Sequence, residues 1–591
     1  FMRTLIMKTF IKIIFMINKK WIISSMPVGE VSCGRIHHNI PFKSLGTIKI
    51  YIDGFVVPRI SDYDLYKQMN QFEMIIHLYK KYQLRLLEHI KGSFIIILQD
   101  GDRFYIMNDS HSFKKMFYSI TGNRFVISND IFDIKRLVNS SLDYNSIAIF
   151  ELLEHFACER TMFKGIYYSN PNTIFEIDSL SNTIHKKSHH SFIEIIEPGS
   201  HKIKIHEFAD LWLNIVRQYI AFLKPKSISL TLTGGNDSRM ILAALLKAEK
   251  EFNLFSYGNP LSYDVEVAKQ IAEKIDHPYN CYYEPPSSEW FDTYANKIIT
   301  IGNTLINIHR THRFYAIERE LRNHRYTEMV FGGFMGGEYI KGIAYDDYIT
   351  PALFREFEFG PNRGNFKKNI HDILRKRYIN TNYIDEQIIG DILQDSPYFL
   401  PNRIKWRELN RLYYLTGSMH YYQDIASFSS VVPYIINPFM DIDFLTELFN
   451  SSFSFLKNNN NNIHEILRIN KSAFHLGITN ILEPKLSSIN YAKRGFYSAN
   501  EYLRYNALVM TILRYYRMKT TPKYPNNFEY GKWFIPYLMS NIEIMKDEQF
   551  FLYKVSDIEN RAKNMAKTNA TEEKFYKCIT NPINILLNSR V

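Results

Sequence analysis

The chain has 591 residues, 46% of them hydrophobic, which is enough to build cores for two or more domains. Its formal charge of +12, from 72 basic and 60 acidic residues, is scattered, with no Lys/Arg block beside stacking aromatics. Nucleic-acid binding is therefore not indicated, and a basic surface facing a nucleotide or another anion is the compatible reading. Cys33, Cys158, Cys281 and Cys578 lie far apart with no C-x-x-C pair, which argues against a disulfide framework or a zinc site and for a reducing cytoplasm.

Residues 1–19 are apolar and basic, but Lys8, Lys12 and Lys19 interrupt them and no clean small-residue cleavage site follows. They are expected to be an extension, not necessarily native, ahead of the first domain. No segment is long and charge-free enough to span a bilayer, so no membrane partner is expected.

Residues 20–195 read as strand-rich. Alternating runs recur at Thr47–Ile52, Ser93–Leu98, Phe104–Met107 and Arg124–Ser128, punctuated by Gly54, Gly101 and Gly122. Between them Met74–Tyr82 and Leu84–Ile90 read as amphipathic helix. His185–Pro198 reads as a strand and linker, and His206–Phe222 as a helix leading into the second domain, expected over 200–591.

The most informative stretch is Ser227–Lys247. Ile228, Leu230 and Leu232 alternate, Thr233-Gly234-Gly235-Asn236-Asp237-Ser238 interrupts, and Met240, Ile241, Ala244 and Leu245 follow with helical period. A strand feeding a glycine turn and then a helix lets backbone amides approach a phosphate, and the helix N-terminus adds unpaired N–H groups and a favourable dipole. Thr233 and Ser238 can donate hydroxyls to phosphate oxygens, and Asp237 supplies the carboxylate a magnesium–phosphate complex needs. No lysine follows the glycines, which excludes the G-x-x-x-x-G-K-[ST] loop. The competing reading is an ordinary solvent turn.

Downstream, Glu251–Gly258 reads as a second strand and Asp264–Ile275 as the next helix. The β-α alternation implies a parallel sheet with ligands at the carboxyl ends of its strands. Tyr257 would then border a nucleotide near its adenine, or simply pack. A further strand, Glu328–Phe331, runs into Gly332-Gly333-Phe334-Met335-Gly336-Gly337-Glu338. Residues 345–405 match nothing recognisable, 406–428 read as helical, and Asn458–Asn462 is a low-complexity loop tip.

These words, in this order, resemble the asparagine synthetase-like family of the N-type ATP pyrophosphatase superfamily, whose relatives include lasso-peptide macrolactam synthetases and β-lactam synthetases. Thr233–Ser238 is similar to its S-G-G-x-D-S loop. Gly332–Glu338 resembles its second glycine loop, with Glu338 either replacing the family's magnesium-binding Asp or matching the Glu after it; a capping or ion-pairing role is the alternative. Tyr434–Asp441 resembles an R-x-P-F-L-D word with the Arg replaced. Ile481–Phe496 resembles an R-x-K-x-G-F word that puts Lys493 in the place of the reacting-centre lysine. Tyr51–Gly54, Leu86–Phe94, Asn108-Asp109, Met116–Tyr118 and Phe125–Asn129 resemble the family's glutaminase-type N-terminal domain.

The resemblance implies an α/β protein: an N-terminal Ntn-hydrolase-like α+β sandwich over 20–195, then a parallel-sheet, adenine nucleotide α-hydrolase-like synthetase domain with a helical C-terminal part. It also implies an ATP- and Mg²⁺-dependent carbon–nitrogen ligase, AMP-forming, that adenylates a substrate carboxylate and passes it to an amine, which comes from ammonia, from a second substrate or, as in the lasso-peptide and β-lactam relatives, from the substrate itself, a precursor peptide included. Leu232, Thr233, Gly234, Gly235, Asp237, Ser238, Tyr257, Gly332 and Gly333 would hold the nucleotide, Asp237 and Glu338 the metal, and Lys493 with Glu338 would serve the chemistry. Glutamine hydrolysis is not expected: the turn that should stabilise an oxyanion reads Asp53-Gly54-Phe55, and Cys33 would need cleavage after Ser32 to act as a nucleophile. Asparagine synthesis and a non-catalytic nucleotide-binding relative are the alternatives. Oligomeric state is not legible.

Overall fold

The computed structural model describes residues 20–26, 31–33, 36–153, 155–189, 194, 196–341, 363–394, 428–429, 431–454, 473–492, 497–505, 507–547, 551–568, 582–583 and 585. Lys493, most of the expected helical stretch 406–428, the asparagine run and residues 1–19 lie outside them.

The first part is built from β1 (Ile22–Ser24), β2 (Val31–Cys33), β3 (Ile36–His38), β4 (Lys43–Leu45), β5 (Ile48–Pro58), β6 (Ile90–Asp100), β7 (Arg103–Asn108), β8 (Phe117–Thr121), β9 (Arg124–Ser128), β10 (Tyr167–Tyr168), β11 (Thr173–Asp178) and β12 (Thr183–Ser188). They form two six-stranded antiparallel sheets, ordered β10-β8-β9-β1-β3-β2 and β12-β11-β7-β6-β5-β4. The period-two alternation of strand side chains explains the continuous apolar run in β6. Ile95 and Ile97 pack between the sheets with Trp21, Phe104 and Ile127, while Phe94, Ile96 and Leu98 face the other way, onto Met74, Ile75 and Leu78 of the helix Gln71–Tyr82. On the far side Ile131 and Ile134 of the helix Ile131–Val138 and Ile147 cover Ile22 and Val126. The result is a helix–sheet–sheet–helix sandwich; the alternating runs mark its strands.

Leu84–Ile90 is not an amphipathic α-helix: Gln83–Glu88 forms a 3-10 helix and Ile90 already belongs to β6, paired with Pro58. The long β5–β6 ladder claims Ile90 as its end, and tertiary pairing overrides the local helical pattern.

The second part carries β13 (Ser227–Thr231), β14 (Asn253–Tyr257), β15 (Tyr279–Tyr282), β16 (Thr327–Phe331) and β17 (Tyr434–Ile436), all parallel and ordered β15-β14-β13-β16-β17. Helices Asn236–Lys247 and Tyr263–Lys274 make the first two crossovers, and helices dominate the described residues after β17. Because the strand order runs outward in both directions from β13, the β13–β16 edge is the point where ligands bind in such sheets.

The two parts meet through buried charge. Lys91 Nζ, its side chain 2% exposed, lies 2.7 Å from Asp441 and 2.8 Å from Asp443. Arg59 also pairs with Asp443, and the Tyr219 hydroxyl donates to Asp441 at 2.9 Å. Two cations against two carboxylates balance the cluster. Burial pushes the Asp443 carboxyl up, but Lys91 and Arg59 outweigh it and hold the group down at about 2. Among the described residues no helix is long and apolar enough to cross a membrane.

Candidate functional site

The expected phosphate turn follows β13 directly. Leu232 is fully buried and fixed by its amide on the Phe255 carbonyl at 2.8 Å, with Ser256 Oγ donating to the Leu232 carbonyl. Gly235 then caps the helix Asn236–Lys247, placing Asn236, Asp237 and Ser238 in its first turn, where amides have no intrahelical partner. The turn is internally braced. Ser238 Oγ lies 3.1 Å from both the amide and the hydroxyl of Thr233, the Gly234 amide donates to Asp264 Oδ1 at 2.9 Å, and the Gly235 amide to Thr233 Oγ1 at 3.2 Å. Burial raises the Asp264 carboxyl above its ordinary range, and the Gly234 amide works against that rise. An anion at this turn would take the first-turn amides and exchange with the Thr233 and Ser238 hydroxyls.

The second glycine word comes to the same place. Strand β16 pairs with β13, so Gly332 and Gly333 leave the sheet beside Thr233. The Gly332 amide is held by the Ile436 carbonyl at 3.0 Å. A Cβ on Gly333 would stand 2.9 Å from the Ser238 amide nitrogen, and one on Gly336 would stand 2.6 Å from Asp237 Cγ. Side chains are excluded at both positions because the two loops touch there. Glu338 lies in the first turn of the helix Gly336–Lys341, two residues beyond that contact, and is half-buried. Tyr257 ends β14, the neighbouring strand, and its ring lies 5.8 Å from His312 and 6.3 Å from Phe528. The structure thus brings Thr233–Ser238 together with Gly332–Gly336, with Tyr257 one strand away.

Two residues of this region escaped the sequence reading. His475, fully buried in the helix Ala473–Leu482, places Nε2 2.8 Å from Asp237 Oδ1. Arg239, also fully buried, sends its guanidinium to the Gly234 carbonyl and to a strap running from Leu486 to Ala492. The Ala492 amide itself donates to the Gly234 carbonyl at 3.0 Å, and a Cβ on Gly234 would overlap that of Ala492. Lys493 is the next residue in the chain. A lone His among Phe474, Leu476 and Ile478, and an Arg after the Asp-Ser pair, carry no sequence mark of the His475–Asp237 and Arg239–strap contacts, which form across more than 230 residues of chain.

Asp237 and Glu338 are carboxylates of the type Mg²⁺ takes, one or two at a time, with phosphate oxygens and water completing its octahedron. Among the described residues no group of three or more His, Cys, Asp or Glu converges to hold a metal by itself.

In the first part, Asp53 is 7% exposed and fully engaged. Lys114 Nζ lies 3.1 Å away, and Asn129 and the Trp21 indole donate to it at 3.1 and 3.3 Å. Trp21, fully buried, precedes β1, whereas Cys33 ends β2 at the edge of that sheet.

No family model matches the chain, and no curated protein does. Among solved structures it overlaps NMN synthetase from Francisella tularensis at 12% identity and a TM-score of 0.22, covering 38% of this chain and 97% of that one. A glutamine phosphoribosylpyrophosphate amidotransferase from B. subtilis, with ADP and GMP, gives 9% identity, a TM-score of 0.20 and coverage of 55% and 77%. A glutamine-dependent NAD+ synthetase from Acinetobacter baumannii, with ADP, gives 12%, 0.19, 47% and 65%. TM-scores this low decide nothing about fold or activity.

Proposed function

We propose that the chain is an ATP-dependent amide-forming ligase that adenylates a substrate carboxylate, releases pyrophosphate and passes the acyl group to an amine. The observation that carries this reading is the convergence of the two glycine loops on Asp237 at the carboxyl ends of adjacent parallel strands. Amides of the first helical turn and the Thr233 and Ser238 hydroxyls take the phosphates, with Leu232 and Tyr257 on the adenine side. Mg²⁺ at Asp237 and Glu338 offsets charge on the triphosphate and the departing pyrophosphate. Lys493, the residue that follows Ala492 in the sequence, adds a cation for the same charge.

The amine comes from the substrate and not from glutamine. The Asp53-Gly54-Phe55 turn has a carboxylate at the position where the resemblance calls for an oxyanion-holding asparagine, and Trp21, Asn129 and Lys114 engage its oxygens. Peptide or natural-product maturation, of the lasso-cyclase kind, is the setting we favour. Phosphorus NMR of the spent nucleotide tests the reaction class. Incubation with substrate should yield AMP and pyrophosphate in equal amounts; ADP and orthophosphate instead would refute adenylation.

A further inference from the structure

Arg239 is the largest buried charge beside the phosphate turn, and its surroundings are unusual. It is 0% exposed, and among the described residues it pairs with no carboxylate. Its Nη1 donates to the carbonyls of Ile489 at 2.6 Å and Leu486 at 3.4 Å, and its Nη2 to those of Asn490 at 3.0 Å and Gly234 at 3.3 Å. The guanidinium centre stands 4.0 Å from the centroid of the Tyr491 ring. A buried cation without a counter-ion is costly, and an unbranched apolar side chain such as Met would fill the same space without that cost. The carbonyl dipoles and the ring face compensate the charge, and only the planar fork of a guanidinium reaches four acceptors on two separate segments at once.

The segments it joins are the turn that would hold phosphate and the strap 486–492, which also touches the turn through the Ala492 amide on Gly234. We infer that Arg239 is a positioning residue: it clamps the strap 486–492 onto Gly234, so that order in the strap and affinity of the turn for a pyrophosphate group depend on each other. This rests on the ATP-binding reading above. The linkage is reciprocal, so a phosphate ligand must tighten the strap by the same factor by which a released strap weakens the ligand. A residue that merely fills the core would show neither effect.

Hydrogen exchange of the amides of 486–492, with and without inorganic pyrophosphate and Mg²⁺, tests this in the wild type, Arg239→Met and Arg239→Lys, alongside calorimetric pyrophosphate affinity. In the wild type, pyrophosphate should slow exchange of the strap about tenfold. In Arg239→Met the strap should exchange faster from the start, gain no protection from pyrophosphate and bind it at least tenfold more weakly. Arg239→Lys, which keeps the charge and loses the fork, should behave like Arg239→Met. Should Arg239→Met not fold, Tyr491→Leu removes only the ring beneath the guanidinium and should shift the same amides in the same direction. Equal pyrophosphate affinity in wild type and Arg239→Met, with strap exchange unchanged, would overturn the clamp while leaving the ATP reading intact. A wild type that binds neither pyrophosphate nor ATP would instead remove the ATP reading on which the clamp rests.

Discussion

His475 Nε2 lies 2.8 Å from Asp237 Oδ1, and the ring is fully buried while the carboxylate side chain is 29% exposed. The His475 ring thus stands against the carboxylate from inside the helical layer, and Gly336 of the second glycine loop packs against the same carboxylate. Groups that orient a ligating carboxylate typically change metal affinity 10–100-fold when removed. His475→Phe, which keeps the ring volume, should weaken Mg·ATP binding by at least about tenfold and leave metal-free nucleotide binding almost unchanged. Calorimetry with and without Mg²⁺ separates the two, and equal losses in both would show that His475 does not act through Asp237.

The glycines of the second loop are predicted to differ in tolerance. A Cβ on Gly336 would stand 2.6 Å from Asp237 Cγ, whereas at Gly337 the nearest Asp237 atom is 3.9 Å away. Gly336→Ala should therefore displace the carboxylate, cost about 1–3 kcal/mol of stability and remove Mg·ATP binding. Gly337→Ala should be near neutral in both. Thermal melts and nucleotide titrations of the pair check this, and equal behaviour of the two variants would count against the loop contact.

Lys91 is predicted to hold the two parts of the chain together. Its replacement by Met leaves Asp441 and Asp443 buried with Arg59 alone against them, which should cost about 3–5 kcal/mol. Denaturant unfolding measures the loss, and a second, earlier transition would show that the parts separate before either unfolds.

The same cluster gives a pH dependence. Asp443 is held below the ordinary carboxylate range, at about 2. A group whose folded value is depressed contributes stability that is fully present above its unfolded value and is lost as pH falls through the folded one. The melting temperature should therefore drop across roughly pH 4 to 2 by an amount corresponding to about 2 kcal/mol. Asp443→Asn should flatten that part of the profile.

Much of this was legible because it is local. A strand, a Thr-Gly-Gly-Asn-Asp-Ser turn and a helix follow one another within Ser227–Lys247, and Gly332–Glu338 follows a strand in the same way, so short-range pattern was enough to mark both. Their contact at Gly333 and Gly336 was not legible, since it depends on β16 pairing beside β13 across about a hundred residues. His475 and Arg239 were missed for the same reason: each becomes informative only through a partner far away in sequence. At Leu84–Ile90 the failure ran the other way, because a helical pattern yielded to the β5–β6 ladder.

The central claim is that Asp237, held between the glycine loops, serves an ATP site that activates a carboxylate. Exchange of labelled pyrophosphate into ATP, measured with candidate carboxylates in the wild type and in Asp237→Ala, tests it most directly. Substrate-dependent exchange is expected in the wild type, and its loss, by at least about a hundredfold, in the variant. No exchange with any carboxylate and no ATP binding, or exchange that survives Asp237→Ala undiminished, would contradict it.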